Sequence, residues 1–164
     1  MLPDPLHPAV VHLPIALAIL LPGLAVLGLF LIYKGVIPSR SWALIVLLQA
    51  ILVGSGWLAL ETGEDEEERV ERVVAERFIE AHEDAAERFM WIAGLGLLAC
   101  GAGLLPGRSG NWGRVAGTIA AFGVLAAGIS VGHAGGELVY KHGAASAYLD
   151  GAGAAAKVGR FDDD

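Results

Sequence analysis

The chain has 164 residues, of which 55% are hydrophobic, and its formal net charge is −7. Soluble domains are about 45–50% apolar, so this composition and a mean hydropathy of +0.59 argue against a soluble domain and indicate a membrane protein. The length allows one compact domain. A negative charge without a basic, aromatic-rich patch argues against nucleic acid as a partner. The single cysteine, Cys100, excludes a disulfide framework and is expected to pack as a small apolar residue.

Two histidines and two prolines stand in front of the first long apolar segment, in the stretch HPAVVHLPIAL. Pro8 suits the first turn of a helix, and Pro14 falls within an early turn. His7 and His12 are titratable and can bind a metal or haem iron. The entrance to this segment is therefore a candidate ligand site.

Four apolar segments are long enough, or nearly so, to cross a bilayer core, which takes about 20 residues of helix. None of them contains a charged residue. They predict an all-α integral membrane four-helix bundle within a membrane domain of residues 1–143. The segments are 13–33, 42–60, 89–105 and 115–132.

The short loops predict the orientation. Lys34 and Arg40 lie between the first two segments, Arg108 and Arg114 lie between the last two, and neither loop contains an acid. Since basic loops face the cytoplasm, both termini and residues 61–88 are expected on the opposite side. We therefore predict a multi-pass protein of the bacterial inner membrane with periplasmic termini.

Residues 61–88 carry twelve acids against four arginines. Thr62 is predicted to be the N-cap of an acidic helix. Its apolar residues recur at helical spacing into the third segment, which predicts an outward amphipathic extension of the third helix. His82 lies on this apolar face.

The fourth segment is followed by GHAGGELVYKHG. If the helix continues, His133, Glu137 and Tyr140 share one face, whereas His142 lies on the opposite side unless the helix breaks near Gly135. All five histidines of the chain are then expected at the outer side. Residues 144–164 predict a flexible outer tail.

Three stretches together, HPAVVHLPIAL, TGEDEEE…EAHED and GGELVYKHG, resemble the bacterial membrane proteins grouped as domain of unknown function 2231, over roughly residues 5–150. The resemblance implies four spans. It also implies electron transfer, because some members are fused to Rieske or cytochrome c-like domains. The histidines that match the family pattern are His7, His12, His82 and His142. His133 and Glu137 depart from it.

The first functional hypothesis is a b-type haem protein that exchanges electrons with quinol, a redox partner or a larger membrane complex. Histidines from different helices suit ligation of haem iron from both sides. The first expected pair is His12 with His82, and the second is His7 with His142.

Two alternatives stay open. A zinc or copper site would use His7, His82 and His142, with Glu137 or water as the fourth ligand. A hydrolase built on it would need Glu83 or Glu137 as a general base. In a cofactor-free assembly subunit, the histidines would bond to helix ends or sense pH. Whether the chain is an enzyme is left open.

Overall fold

The computed structural model describes residues 5–148, and all regular structure in this range is helical, as predicted. Two short 3₁₀ helices, Ser39–Trp42 and Ala144–Tyr148, accompany five α-helices. The α-helices are α1 (His7–Val10), α2 (His12–Tyr33), α3 (Ala43–Val70), α4 (Glu76–Ala102) and α5 (Gly107–Tyr140).

Helices α2, α3, α4 and α5 are each long and apolar enough to cross a membrane. Both α2 and α4 pack against α3 and α5, so the four helices form an antiparallel bundle. Large apolar side chains point away from the bundle, as on α2, where Ile19 is 60% exposed. Such a surface suits contact with lipid, and together with the four long apolar helices it fits the predicted multi-pass membrane protein.

Small residues let α4 and α5 pack closely. A Cβ atom on Gly113 would lie 2.4 Å from the backbone of Ala102, and one on Gly117 would lie 2.9 Å from Cys100 Sγ. No side chain fits at either glycine, so the two backbones are in contact there. Cys100 is 1% exposed and packs in this core, as expected.

The acidic segment is divided between two helices. Thr62 lies inside α3, and its hydroxyl donates to the carbonyl oxygens of Leu58 and Ala59 at 3.0 and 3.1 Å. The prediction that Thr62 is an N-cap is therefore wrong, because α3 continues from its apolar part to Val70 without a break. The predicted polar extension of the third helix is confirmed, as α4 begins at Glu76. Helix α3 has a similar extension.

These two extensions, the end of α5 and residues 144–148 meet in a small apolar cluster of their own. Its buried members are Val74, Ile79, Leu138 and Ala144. The antiparallel order places the start of α2, the end of α3, the start of α4 and the end of α5 together. All five histidines lie at this end of the bundle, which we call the histidine end. The part of the predicted tail after Tyr148 lies outside the described residues.

Candidate histidine site

The backbone of His7 is held by a carboxylate of another helix. The N–H groups of Leu6 and His7 both donate to Glu66 Oε1 of α3, at 2.8 and 3.1 Å. The first N–H groups of a helix have no partner within it and carry partial positive charge, so a carboxylate stabilises them. Glu66 thereby fixes the start of α1 against α3.

The imidazole of His7 is oriented by the backbone of α3. Its Nδ1 lies 2.8 Å from the carbonyl oxygen of Ala59 and 3.4 Å from Thr62 Oγ1. A carbonyl only accepts, so Nδ1 carries the hydrogen, and in the neutral ring Nε2 keeps a free lone pair. Gly63 gives the ring its space, since a Cβ there would lie 3.3 Å from the ring atoms Cε1 and Nδ1.

His82 approaches from α4 and lies against α5. A Cβ atom on Gly135 would lie 3.1 Å from His82 Cε1. Its Nδ1 is buried and has no partner among the described residues. This nitrogen is available to a ligand when the ring is neutral and Nε2 carries the hydrogen.

His7 and His82 face each other. Their ring centroids are 6.4 Å apart, and the ring planes are at 87°. His7 bonds to the Ala59 carbonyl through Nδ1 and keeps Nε2 for a ligand, which is the usual arrangement of metal-ligating histidines. The buried Nδ1 of His82 has no partner in the described residues. Burial lowers the pKa of His82, and the nearby His7 lowers it further, while the Val131 backbone opposes the shift. The neutral form that can bind a metal is thus favoured.

The other predicted ligands have different surroundings. His12 is exposed, and its Nδ1 lies 3.3 Å from the carbonyl oxygen of Ala9 in the preceding turn. His133 Nε2 lies 3.4 Å from Glu137 Oε1, which confirms that these residues share a face. The carboxylate of Glu137 also pairs with the ammonium group of Lys141.

His142 is placed by the turn that ends α5. This helix runs unbroken past Gly135 to Tyr140, and Gly143 has a φ of +72°, a conformation that favours glycine. The ring of His142 stacks on Phe78 of α4, with centroids 3.7 Å apart and planes at 18°. The structure thus brings His82 to His7, whereas His142 contacts an aromatic ring.

A metal site with three or four protein ligands is not formed in the described part of the chain. Within residues 5–148, no group of three or more His, Cys, Asp or Glu side chains is arranged to hold a metal ion. The set of His7, His82, His142 and Glu137 proposed for zinc or copper therefore does not converge in this structure.

Several residues of the site had no signal in the sequence. Glu66 is one of many acids in its segment, yet its Oε2 also accepts a 2.5 Å hydrogen bond from the Tyr148 hydroxyl. Gly63 and Gly135 lie in ordinary helix, and only their contacts with the two rings distinguish them. Glu66 thus connects the beginning of the described chain with its end.

Acidic side chains continue from this site along the seam between the extensions of α3 and α4. Burial raises the pKa of the Glu83 carboxyl, and the neighbouring carboxylates of Glu67, Glu64, Glu80 and Glu71 raise it further. The cause is repulsion between like charges. The polar extension of the bundle therefore carries a strong negative potential.

Comparisons of the chain with protein-family models, with curated proteins and with solved structures find no match. The function is therefore inferred from the geometry and chemistry of the chain's own residues.

Proposed function

We propose that the chain is a membrane-bound b-type haem protein for electron transfer, with His7 and His82 as the two axial ligands. The spacing of the two rings is the observation that carries the proposal. Metal–imidazole bonds are about 2.0–2.1 Å long, so two imidazoles that bind one ion have centroids roughly 5–6 Å apart. The observed 6.4 Å is close to this range, so both rings could hold one iron ion.

The residues present fit such a group. The buried Nδ1 of His82 has no partner in the described range and needs one, because an unpaired buried polar atom is costly. His7 Nε2 is the second nitrogen with a free lone pair. Gly63 and Gly135 have no side chains, which leaves space for the two rings. Only two protein ligands are required, since the porphyrin supplies the other four nitrogens. Zinc usually takes three or four protein ligands, so the ligand count favours haem.

Haem bound by two histidines supplies a one-electron centre with no open coordination position. The chain's own residues orient and stabilise its ligands. The carbonyl of Ala59 fixes the ring of His7, and Glu66 holds the segment that carries it. Gly135 gives the ring of His82 its space. The hydrogen bond to Ala59 also increases the basicity of the ligating nitrogen of His7.

The proposal also includes the orientation of the chain in the membrane, its redox partners and its family. The basic residues lie at the end of the bundle opposite the histidines, which supports a periplasmic histidine end. Lys34 and Arg40 lie between α2 and α3, whereas Arg108 and Arg114 lie in the first turns of α5. Electrons would come from a quinol or a redox subunit there. Membership of the domain of unknown function 2231 family remains part of the proposal. His12 and His142 stay predicted ligands that the pair of His7 and His82 does not require.

The test is to purify the protein in mild detergent and to record oxidised and dithionite-reduced absorption spectra together with its metal content. We expect a Soret band and sharp reduced bands, both lost in His7→Ala and His82→Ala. His12→Ala and His133→Ala are matched controls, because both rings are exposed, and they should retain haem. A colourless protein with stoichiometric zinc or copper would refute the proposal. Haem loss in His12→Ala but not in His7→Ala would refute the ligand pair.

A further inference from the structure

A groove opens on the side of the bundle between α3 and α4. Its volume is about 440 Å³, and it is lined by Leu60, Glu87, Met90 and Trp91. A Cβ atom on Gly56 would lie 2.8 Å from Met90 Sδ. Met90 therefore lies over this glycine and forms one wall of the groove.

The groove lies at the border between the apolar and the polar parts of the bundle. Leu60 is the last residue of the uncharged part of α3, and Glu87 comes just before the uncharged part of α4. Trp57 and Trp91 beside it are 64% and 75% exposed. Tryptophan is enriched where membrane meets water, so the groove opens toward lipid at the level of the headgroups.

The lining selects the kind of molecule that fits. Three of its side chains are apolar or aromatic, and the fourth is a carboxylate. Neighbouring acids of the two extensions, Glu64 and Glu80 among them, raise the pKa of the Glu83 carboxyl by repulsion. Surroundings of this charge disfavour a phosphate headgroup. A neutral aromatic ring with hydroxyl donors suits these walls, because it packs on Trp91 and donates to Glu87.

The groove is also next to the histidine site. Leu60 directly follows Ala59, whose carbonyl oxygen accepts the hydrogen bond from His7 Nδ1. On α4, Glu87 is five residues after His82, which is a rise of about 7.5 Å along the helix. The groove thus lies toward the histidine end, with Glu87 about 140° round α4 from His82 at about 100° per residue.

We propose that this groove binds the ring of a lipid-soluble hydroquinone, with the Glu87 carboxylate accepting a hydrogen bond from one of its hydroxyls. The volume is within the range of about 300–1,000 Å³ of small-molecule sites, and the isoprenoid or alkyl tail extends into lipid. The choice of a hydroquinone rests on the proposed electron-transfer function. The proposal of a binding site rests only on the groove, on the Glu87 carboxylate that lines it and on the depth of the groove in the membrane.

The test is calorimetric titration of the full chain, in phosphatidylcholine nanodiscs, with the reduced form of a decyl-substituted benzoquinone, after subtraction of empty discs. We expect saturable binding with one site per chain. Leu60→Trp fills the groove and should abolish it, and Glu87→Gln should weaken it about tenfold, as for the loss of a charged acceptor. Glu80→Gln is the matched control, since it removes an exposed acid of the same helix outside the groove, and it should change affinity less than about twofold.

Absence of saturable binding by the wild-type chain, or equal binding by a folded Leu60→Trp variant, would overturn the inference. A competing result with a spin-labelled phospholipid would overturn it too. In that result the lipid binds saturably, the hydroquinone does not displace it, and Leu60→Trp removes its binding. The titration uses no haem signal. Binding by a chain that takes up no haem would therefore refute only the electron-transfer function, and haem without binding would refute only the groove.

Discussion

The rings of His7 and His82 lie 6.4 Å apart at the same end of the bundle, although the residues belong to the first and the fourth α-helix of the chain. The ring of His7 is fixed by the carbonyl of Ala59 on α3, and the ring of His82 lies against Gly135 of α5. Four different helices therefore define the position of one pair of imidazoles. A pair held in this way is pre-organised for a ligand between its free nitrogens.

The lowered pKa of His82 predicts a loss of stability in mild acid. The unfolded chain binds a proton at His82 near the ordinary pKa of 6.5, whereas the folded chain binds it only at lower pH. Stability from this group is thus fully present above pH 6.5 and decreases as the pH falls below it. We expect Tm to fall between pH 7 and pH 5 more steeply in the wild type than in His82→Gln. Equal slopes would contradict the assigned burial of His82.

The carboxylate of Glu66 is predicted to stabilise the histidine end. It accepts hydrogen bonds from Leu6, His7 and Tyr148, so Glu66→Ala leaves three donors without this acceptor. The expected cost is about 1–3 kcal/mol in the free energy of unfolding. Glu68→Ala, which removes an exposed acid of the same helix, is the control and should change stability by less than about 0.5 kcal/mol. A Tm equal in the two variants would contradict the assigned role.

Gly135 is predicted to be intolerant of a side chain because of His82. A Cβ there lies 3.1 Å from the ring, so Gly135→Ala must displace it, whereas a Cβ at Gly132 meets nothing within 4 Å. We expect Gly135→Ala to be less stable than Gly132→Ala by about 1 kcal/mol or more, as alanine otherwise favours a helix by about 1 kcal/mol. Thermal unfolding in detergent measures the difference. If Gly135→Ala is as stable as Gly132→Ala, the ring is not where the structure places it.

The contact between α4 and α5 gives a further prediction about the membrane part. Gly113→Ala would place its Cβ 2.4 Å from the backbone of Ala102, and this backbone cannot move without shifting α4. Overpacking of this kind costs about 1–3 kcal/mol. Gly94→Ala on α4 meets nothing within 4 Å and serves as the control. Equal resistance of both variants to denaturant would contradict the close packing of these helices.

The four helices were predictable because each has a long uncharged segment, and this signal depends only on composition and length. The division of residues 61–88 between two helices could not be predicted. Acids, arginines and alanines are all compatible with helix, so the sequence gives no sign of the break before Glu76. Local preference thus predicts helix but not its boundary.

The histidine end was predictable from topology, but the pairing within it was not. Helical faces indicated where His82 points along α4. The position of His7 depends instead on Glu66, Ala59 and Gly63 of another helix, and no periodic pattern records contacts between helices. For the same reason the pairing of His12 with His82 was expected and that of His7 with His82 was missed.

Titration of the purified chain with ferric haem, followed by Soret absorbance, tests the central claim most directly. We predict one haem per chain at the His7–His82 pair, with the spectrum of low-spin iron bound by two histidines, and loss of this uptake in both His7→Ala and His82→Ala. A wild-type spectrum that persists in both variants, or no saturable uptake by the wild type, would contradict the claim.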